Sequence, residues 1–352
     1  MINSSLSAGL WHRKIQFPYV VLLLLSTIIL SGFSLQLLKK DKPIAEQQRF
    51  TQSTNDNNSM VRLRMKNRYQ FASPLLMVEG DKESSSLAQL KNEVATLIEN
   101  KKTAGEITAA SVYVRKLNTG DWTSINDNET YITGSLIKVP TLMTLLKKNE
   151  SSPGFLSHEI FFKDSYQKYA PTQTFKGKEI EPGKNYKLND LLFYMITKSD
   201  NNATMLLHNF FDIDEFKYLF TSIGLTEPDV HNPKYEMTAS GFSKFMRLLY
   251  NGTYLSPADA DYALNLLSQS DFREGMLKQL PAGLKVAHKF GEFGESERGT
   301  WKQLSESGII FLNDNPLLVT IMTKGNDVHL LPQAISDISK YIYDYVSVKA
   351  GS

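Results

Sequence analysis

Hydrophobic patterning divides the chain into an apolar N-terminal block, a polar stretch and a long region of mixed helix and strand periodicity. Residues 17–38 carry no charge and include Val20-Val21-Leu22-Leu23-Leu24-Leu25 and Ile28-Ile29-Leu30. At about 1.5 Å per residue, a helix of this length spans roughly 33 Å, close to the hydrocarbon thickness of a bilayer. That core is longer than a cleaved leader needs, and Ser31-Gly32-Phe33-Ser34 is a poor cleavage signal. An uncleaved transmembrane helix is therefore expected over 17–38, preceded by a short N-terminal segment, 1–16. Residues 39–72 turn polar, notably through Gln52-Ser53-Thr54-Asn55-Asp56-Asn57-Asn58-Ser59, and read as a disordered or loosely structured tether.

Order is expected from about residue 73. Leu87, Leu90, Val94, Leu97 and Ile98 have helical spacing, with Ser86 and Gln89 as a capping-box pair. Strand-like runs at 109–116 and 122–125 flank the turn signal Asn118-Thr119-Gly120-Asp121. Leu142, Met143, Leu145 and Leu146 mark a second helix, and Leu188, Leu191, Leu192, Met195 and Ile196 a third. After the polar break Ser199-Asp200-Asn201, the spacing restarts at Ala203, Leu206, Leu207, Phe210 and Phe211. Further helices are predicted over 240–250 and 258–267.

Strand patterns return at 284–290, 307–312 and 317–323, and a closing helix carries Ile335, Ile338, Ile342 and Val346. Strands at both ends with helices between them predict an α+β domain over 73–352. Its antiparallel sheet is formed from both ends of the domain, with a helical middle region.

Composition narrows the function by exclusion. A length of 352 residues holds one large domain, or two smaller ones, plus appendages. A net charge of +2 offers no polyelectrolyte argument for nucleic acid. The absence of cysteine excludes disulfides, thiolate nucleophiles and zinc–thiolate sites. The histidines are scattered and form no H-E-x-x-H, so neither a metal nor another cofactor is expected. No G-x-S-x-G is present, and His288, next to Lys289 on a strand, is expected to face away from it.

Candidate chemistry centres on Thr133-Gly134-Ser135-Leu136-Ile137-Lys138, just before the second helix. Residues three apart share a helix face, so Ser135 and Lys138 can enter one cleft. A hydroxyl beside a basic amine at a helix N-terminus is an activated nucleophile in outline. Lys138 could act as base if its pKa fell from about 10.4 toward 7–8, a change of roughly 4 kcal/mol. Such a shift demands burial and a cationic neighbour, for which Lys289 is the candidate.

Ser135-x-x-Lys138, Ser199-Asp200-Asn201 and Lys289-Phe290-Gly291 stand in order, and together they resemble the penicillin-recognising serine enzymes, most closely class A β-lactamases. Singly each motif is weak: Ser165-Tyr166-Gln167-Lys168 repeats the first without opening an apolar helix, and Ser-Asp-Asn commonly caps helices. The resemblance implies that Ser199 relays a proton to the leaving nitrogen, that Asn201 binds the substrate amide, and that Lys289 attracts a substrate carboxylate. Backbone N–H groups of Ser135 and Glu292 would form the oxyanion hole. The implied substrate is a β-lactam or a D-Ala-D-Ala-type peptidoglycan stem peptide. The implied location is the cell membrane, with a single pass, residues 1–16 cytoplasmic and the catalytic domain outside; a monomer is expected.

Two departures qualify the resemblance. Phe290 stands where the family usually carries a hydroxyl residue; Arg298, Thr300 or Ser305 are candidate substitutes. The deacylating glutamate of the family's omega loop has two candidates here, Glu227, within Glu227-Pro228-Asp229-Val230-His231-Asn232, and Glu236. Without one, the acyl-enzyme would form and linger. Two readings follow: an active serine amidohydrolase, or a low-turnover D,D-peptidase or penicillin-binding sensor on the same fold.

Overall fold

Apolar and basic residues alternate through Val61-Arg62-Leu63-Arg64-Met65, the period-two pattern of a half-buried strand. In the computed structural model this stretch forms strand β1 (Met60–Arg64), paired antiparallel with β2 (Leu75–Gly80). Leu63 and Met65 are buried, whereas Arg62 and Arg64 are exposed. The expected tether is thus corrected: order reaches back to Met60, and the basic residues are the outer face of a strand. Arg247 holds the ribbon down by pairing with Glu79 and donating to the Val78 carbonyl at 3.0 Å.

The structure describes residues 60–350 except 66–67, 69–71, 81, 167–172, 230–231, 233, 295–301 and 313–314. The expected anchor at 17–38 lies outside the described residues. Among the described residues, no helix is long and apolar enough to cross a membrane.

Helix α1 (Ala88–Thr103) buries Leu90, Val94 and Ile98, as its spacing predicts. Its capping box does not form, because Ser85–Leu87 is a 3-10 turn and Gln89 donates to Glu93 instead. Strands β3 (Ala109–Lys116) and β4 (Trp122–Ile125) make the expected hairpin. A 3-10 turn, Gly134–Ile137, then feeds α2 (Lys138–Ser151). The middle continues with α3 (Leu188–Thr197), α4 (Asn201–His208), α5 (Ile213–Ser222), α6 (Ala239–Asn251) and α7 (Pro257–Ser268). Two short ribbons secure the connections: β5 (Tyr131–Ile132) with β8 (Glu236–Met237), and β6 (Glu159–Phe162) with β7 (Lys184–Lys187).

Strands β9 (Val286–Gly294), β10 (Lys302–Ile310) and β11 (Leu317–Gly325) precede the closing helix α8 (Leu331–Ala350). The five-stranded sheet runs β4-β3-β11-β10-β9 and is antiparallel throughout. Both ends of the domain therefore build it, and the α+β expectation holds. Leu90, Val94 and Ile98 of α1 meet Ile335, Ile338 and Ile342 of α8 in one core. The middle helices fill a second core that includes Leu142, Leu192 and Phe245. Strand β9 is the sheet's edge, and that edge meets the turn before α2.

Candidate active site

Two glycines let backbone press against backbone at this edge. Gly134 has φ +50°, and an added Cβ would lie 2.4 Å from the Glu292 carbonyl oxygen. A Cβ on Gly291 would lie 2.4 Å from the Thr133 carbonyl oxygen. Residues with side chains would wedge the turn away from the strand. Ser135, partly exposed in the 3-10 turn, and Glu292 on β9 consequently line one cleft of about 410 Å³.

Lys138 is the first residue of α2 and is buried. Its Nζ donates to the Ser199 carbonyl at 2.6 Å, to Asn201 Oδ1 at 2.8 Å and to Ser199 Oγ at 3.3 Å. Lys289, fully buried on β9, donates from Nζ to the same Ser199 Oγ at 2.9 Å and to the Phe290 carbonyl at 3.0 Å. An amine–hydroxyl–amine chain, Lys138–Ser199–Lys289, thus runs beneath the cleft. Burial pushes Lys138 down to about 7, against the opposing pull of Asp200 and Glu292. Burial also drives Lys289 well below the usual lysine range, aided by the charge of Lys138. The depression of Lys138 is therefore a desolvation effect; the expected cationic help runs the other way, from Lys138 onto Lys289.

The turn between α3 and α4 presents these groups. Ser199 sits at φ +53°, a left-handed conformation that costs a non-glycine residue about 1–3 kcal/mol and persists only where surroundings impose it. Asp200 imposes it: its carboxylate accepts from Ala203 N at 3.1 Å, capping α4, and from Ile180 N at 2.6 Å. The helix-capping alternative is thus true of Asp200, while Ser199 and Asn201 are turned to Lys138. Lys138 makes no hydrogen bond to Ser135 Oγ among the described residues.

A model of the beta-lactamase enzyme family matches residues 89–346. The chain belongs to the beta-lactamase enzyme family. Among solved structures, PBP-A is 20% identical with a TM-score of 0.62, covering 74% of this chain and 97% of that one. A mutant of PBP-A solved as an acyl-enzyme complex with penicillin G is 20% identical at a TM-score of 0.61, with the same coverage, 74% and 97%. A beta-lactamase from Sphaerobacter thermophilus DSM 20745 is 19% identical with a TM-score of 0.61, covering 73% and 98%. At these identities the likeness establishes the fold alone. Among curated proteins, none matches the chain.

Phe290 is buried, stacked on Phe272 at 4.2 Å between centroids and edge-on to Phe175 at 6.4 Å. It shares the opposite face of β9 with His288, which is buried and bonded to Glu306 at 2.6 Å, away from the cleft as its strand parity predicts. Ser305, paired with Gly291, is buried and does not line the cleft. Arg298 and Thr300 lie outside the described residues.

Neither glutamate expected to drive deacylation lines the cleft. Glu227 is exposed and bound to Lys217 at 2.7 Å, and Glu236 accepts from Thr130 Oγ1 at 2.6 Å on β8. The loop after α5 contributes Pro228, Asp229 and Asn232 to the cleft wall instead. The two-residue offset from Glu227 to Asp229 is invisible without knowing the path of the loop.

Other lining residues also escaped sequence reasoning. His208 lines the cleft from the end of α4, and Gln173 reaches in to donate to the Ser199 carbonyl at 3.4 Å. The Glu292 carboxylate accepts from Thr174 N at 2.5 Å and Phe175 N at 3.4 Å, so it holds the segment carrying Gln173. Asp200 holds the same segment further on, at Ile180. Nothing in the local pattern around 173–180 hinted at this.

Proposed function

We propose that the protein is a serine amidohydrolase whose Ser135 is acylated by β-lactams or by acyl peptides of the D-Ala-D-Ala type. The observation that carries this reading is the buried Lys138–Ser199–Lys289 chain, whose Lys138 end lines the same cleft as Ser135. A lysine near pKa 7 is half neutral at neutral pH and can take the proton of Ser135 Oγ–H. For that step Nζ has to exchange one of its present acceptors for Ser135 Oγ. Ser135 Oγ then bonds to the substrate carbonyl carbon, the C–N bond breaks, and the nitrogen leaves with a proton passed through Ser199. Backbone N–H groups of Ser135 and Glu292 are suited to the transient oxyanion, where one donor is worth about 2.7–4 kcal/mol. Asn201 is the residue to hold the substrate amide. The mutant PBP-A acyl-enzyme with penicillin G supports the reading by fold.

The low-turnover variant, a D,D-peptidase or sensor, is favoured by one observation: Glu227 and Glu236 stand outside the cleft. Residues 17–38 would anchor the domain on the outer side of the membrane. Protease digestion of intact cells tests that placement, and a protected domain would refute it. Incubating the full-length chain with a panel of penicillins and following Ser135 by intact mass and peptide mapping tests the central claim. Loss of the adduct in Ser135→Ala is expected; labelling that survives the substitution would sink it.

A further inference from the structure

A protonated Lys138 has three N–H donors, and they meet three acceptors: the Ser199 carbonyl, Asn201 Oδ1 and Ser199 Oγ. The neutral amine has two N–H groups and a lone pair. When that lone pair turns to the Ser135 hydroxyl, one acceptor is released. Ser199 Oγ has to stay within reach, because the proton for the leaving nitrogen passes through it. The Ser199 carbonyl is the shortest of the three contacts, at 2.6 Å, on a residue only 1% exposed. A buried carbonyl left without a donor is costly.

A second donor already stands at that oxygen. Gln173 lines the cleft and donates from Nε2 to the Ser199 carbonyl at 3.4 Å, longer than the usual value of about 2.9 Å. The bond has room to shorten once Lys138 lets go. The segment carrying Gln173 is tied down on the site itself. Glu292 accepts from Thr174 N and Phe175 N, and Asp200 accepts from Ile180 N. Phe175 packs edge-on to Phe272 and Phe290. A Cβ on Gly177 would lie 2.6 Å from the Lys198 carbonyl oxygen, so the segment presses directly on the turn that carries Ser199. These ties fix the backbone and leave the adjustment to the Gln173 side chain.

We propose that Gln173 is a positioning residue for the base: it takes over the Ser199 carbonyl as Lys138 releases it for Ser135 Oγ. This rests on the acylation of Ser135 proposed above and deepens it by naming the donor exchange that frees the base. Ser135 Oγ bonds to the substrate carbonyl carbon, its proton goes to Lys138 Nζ, the C–N bond breaks, and the nitrogen is protonated through Ser199. Gln173 keeps both amide protons throughout. Sharing the carbonyl also favours the neutral amine, since an acceptor held by Gln173 stabilises the Lys138 ammonium less. Burial pushes Lys138 down while Asp200 and Glu292 pull it up, and burial and then the charge of Lys138 push Lys289 and His208 down. Gln173 is the uncharged donor among these groups.

The test uses the full-length chain and penicillin G, with Ser135 labelling rates read by intact mass across pH and across penicillin concentration. Gln173→Leu fills the same space without a donor, and Gln173→Glu keeps the shape but turns a carboxylate to the carbonyl. Gln173→Leu is expected to lower the saturating labelling rate about 5–150-fold, or about 1–3 kcal/mol at about 1.36 kcal/mol per tenfold. Its rising limb should move to higher pH, and Gln173→Glu should do both more strongly. The half-saturating concentration is expected to stay close to wild type. Saturating rates equal to wild type in both variants would overturn the donor exchange and leave the acylation reading standing. A loss confined to the half-saturating concentration would overturn it as well, and would make Gln173 a substrate contact. No adduct in the wild-type chain would refute the acylation reading and the exchange with it.

Discussion

At Lys138 burial costs stability and, on the proposed mechanism, supplies a base. The amine is buried with three acceptors around it, yet desolvation brings it down to about 7. Between pH about 7 and the usual lysine value near 10.4, the unfolded chain binds a proton here that the folded chain does not. Stability from this group therefore rises with pH across that window and is flat below it. On the acylation proposed above, activity takes the same direction, because only a neutral amine can accept the Ser135 proton. Acylation of Ser135 by penicillin G is expected to rise about tenfold per pH unit up to about pH 7 and then level off. Lys138→Ala should remove that limb and slow labelling by about 10²–10⁴. A wild-type profile flat from pH 5 to 9 would show that Lys138 is not the base. At this scale the sequence was most informative, because covalent chemistry demands particular groups at short, recognisable spacing: Ser135 with Lys138, Ser199 with Asn201, and Lys289. Gln173, His208 and Asp229 were not legible, since each arrives from a separate segment that only the tertiary fold brings to the cleft.

Among the elements, periodicity identifies most of those that bury a continuous stripe and misses those that bury little. Helix α6 has Phe242, Phe245, Met246 and Leu249 on one side and reads plainly; α5 buries Phe216, Leu219 and Phe220 at the same spacing, so its stripe was legible although no helix is predicted there. Strands β6 and β7 carry mostly half-buried or exposed residues, so their alternation is faint. Strand β1 is a different failure. Its alternation was present, but Arg62 and Arg64 read as part of a basic, polar stretch. The consequence is measurable. Leu63 is 5% exposed, so Leu63→Ala should cost about 2–4 kcal/mol in urea unfolding of the full-length chain. Arg62→Ala, on the outer face of the same strand, should fall within about 0.5 kcal/mol of wild type. Equal and negligible effects would return the segment to the tether.

At the scale of the whole molecule, the sheet built from both ends brings β9 against the turn before α2, while the middle helices supply Ser199 and Asn201. That convergence explains why three motifs far apart in sequence form one site, and why their order, more than any one of them, carried the family. The middle region also determines what the site lacks. The loop after α5 turns Glu227 out to Lys217 and brings Asp229 inward, and β8 spends Glu236 on Thr130. Glu292, the other acid in the wall, is committed to Thr174 and Phe175. Hydrolysis of an ester bond to Ser135 needs a water with a base beside it, and neither expected glutamate is in reach of the cleft. Once formed, the acyl-enzyme should therefore decay far more slowly than the ordinary enzymatic range of about 1–10³ per second. Pulse-labelling the full-length chain with penicillin G and following adduct mass after removing the probe reads this directly. An adduct that persists for minutes is the expected outcome. Multiple turnovers at ordinary enzymatic rates would refute it, and their loss in Asp229→Asn or His208→Gln would show which cleft residue activates the water.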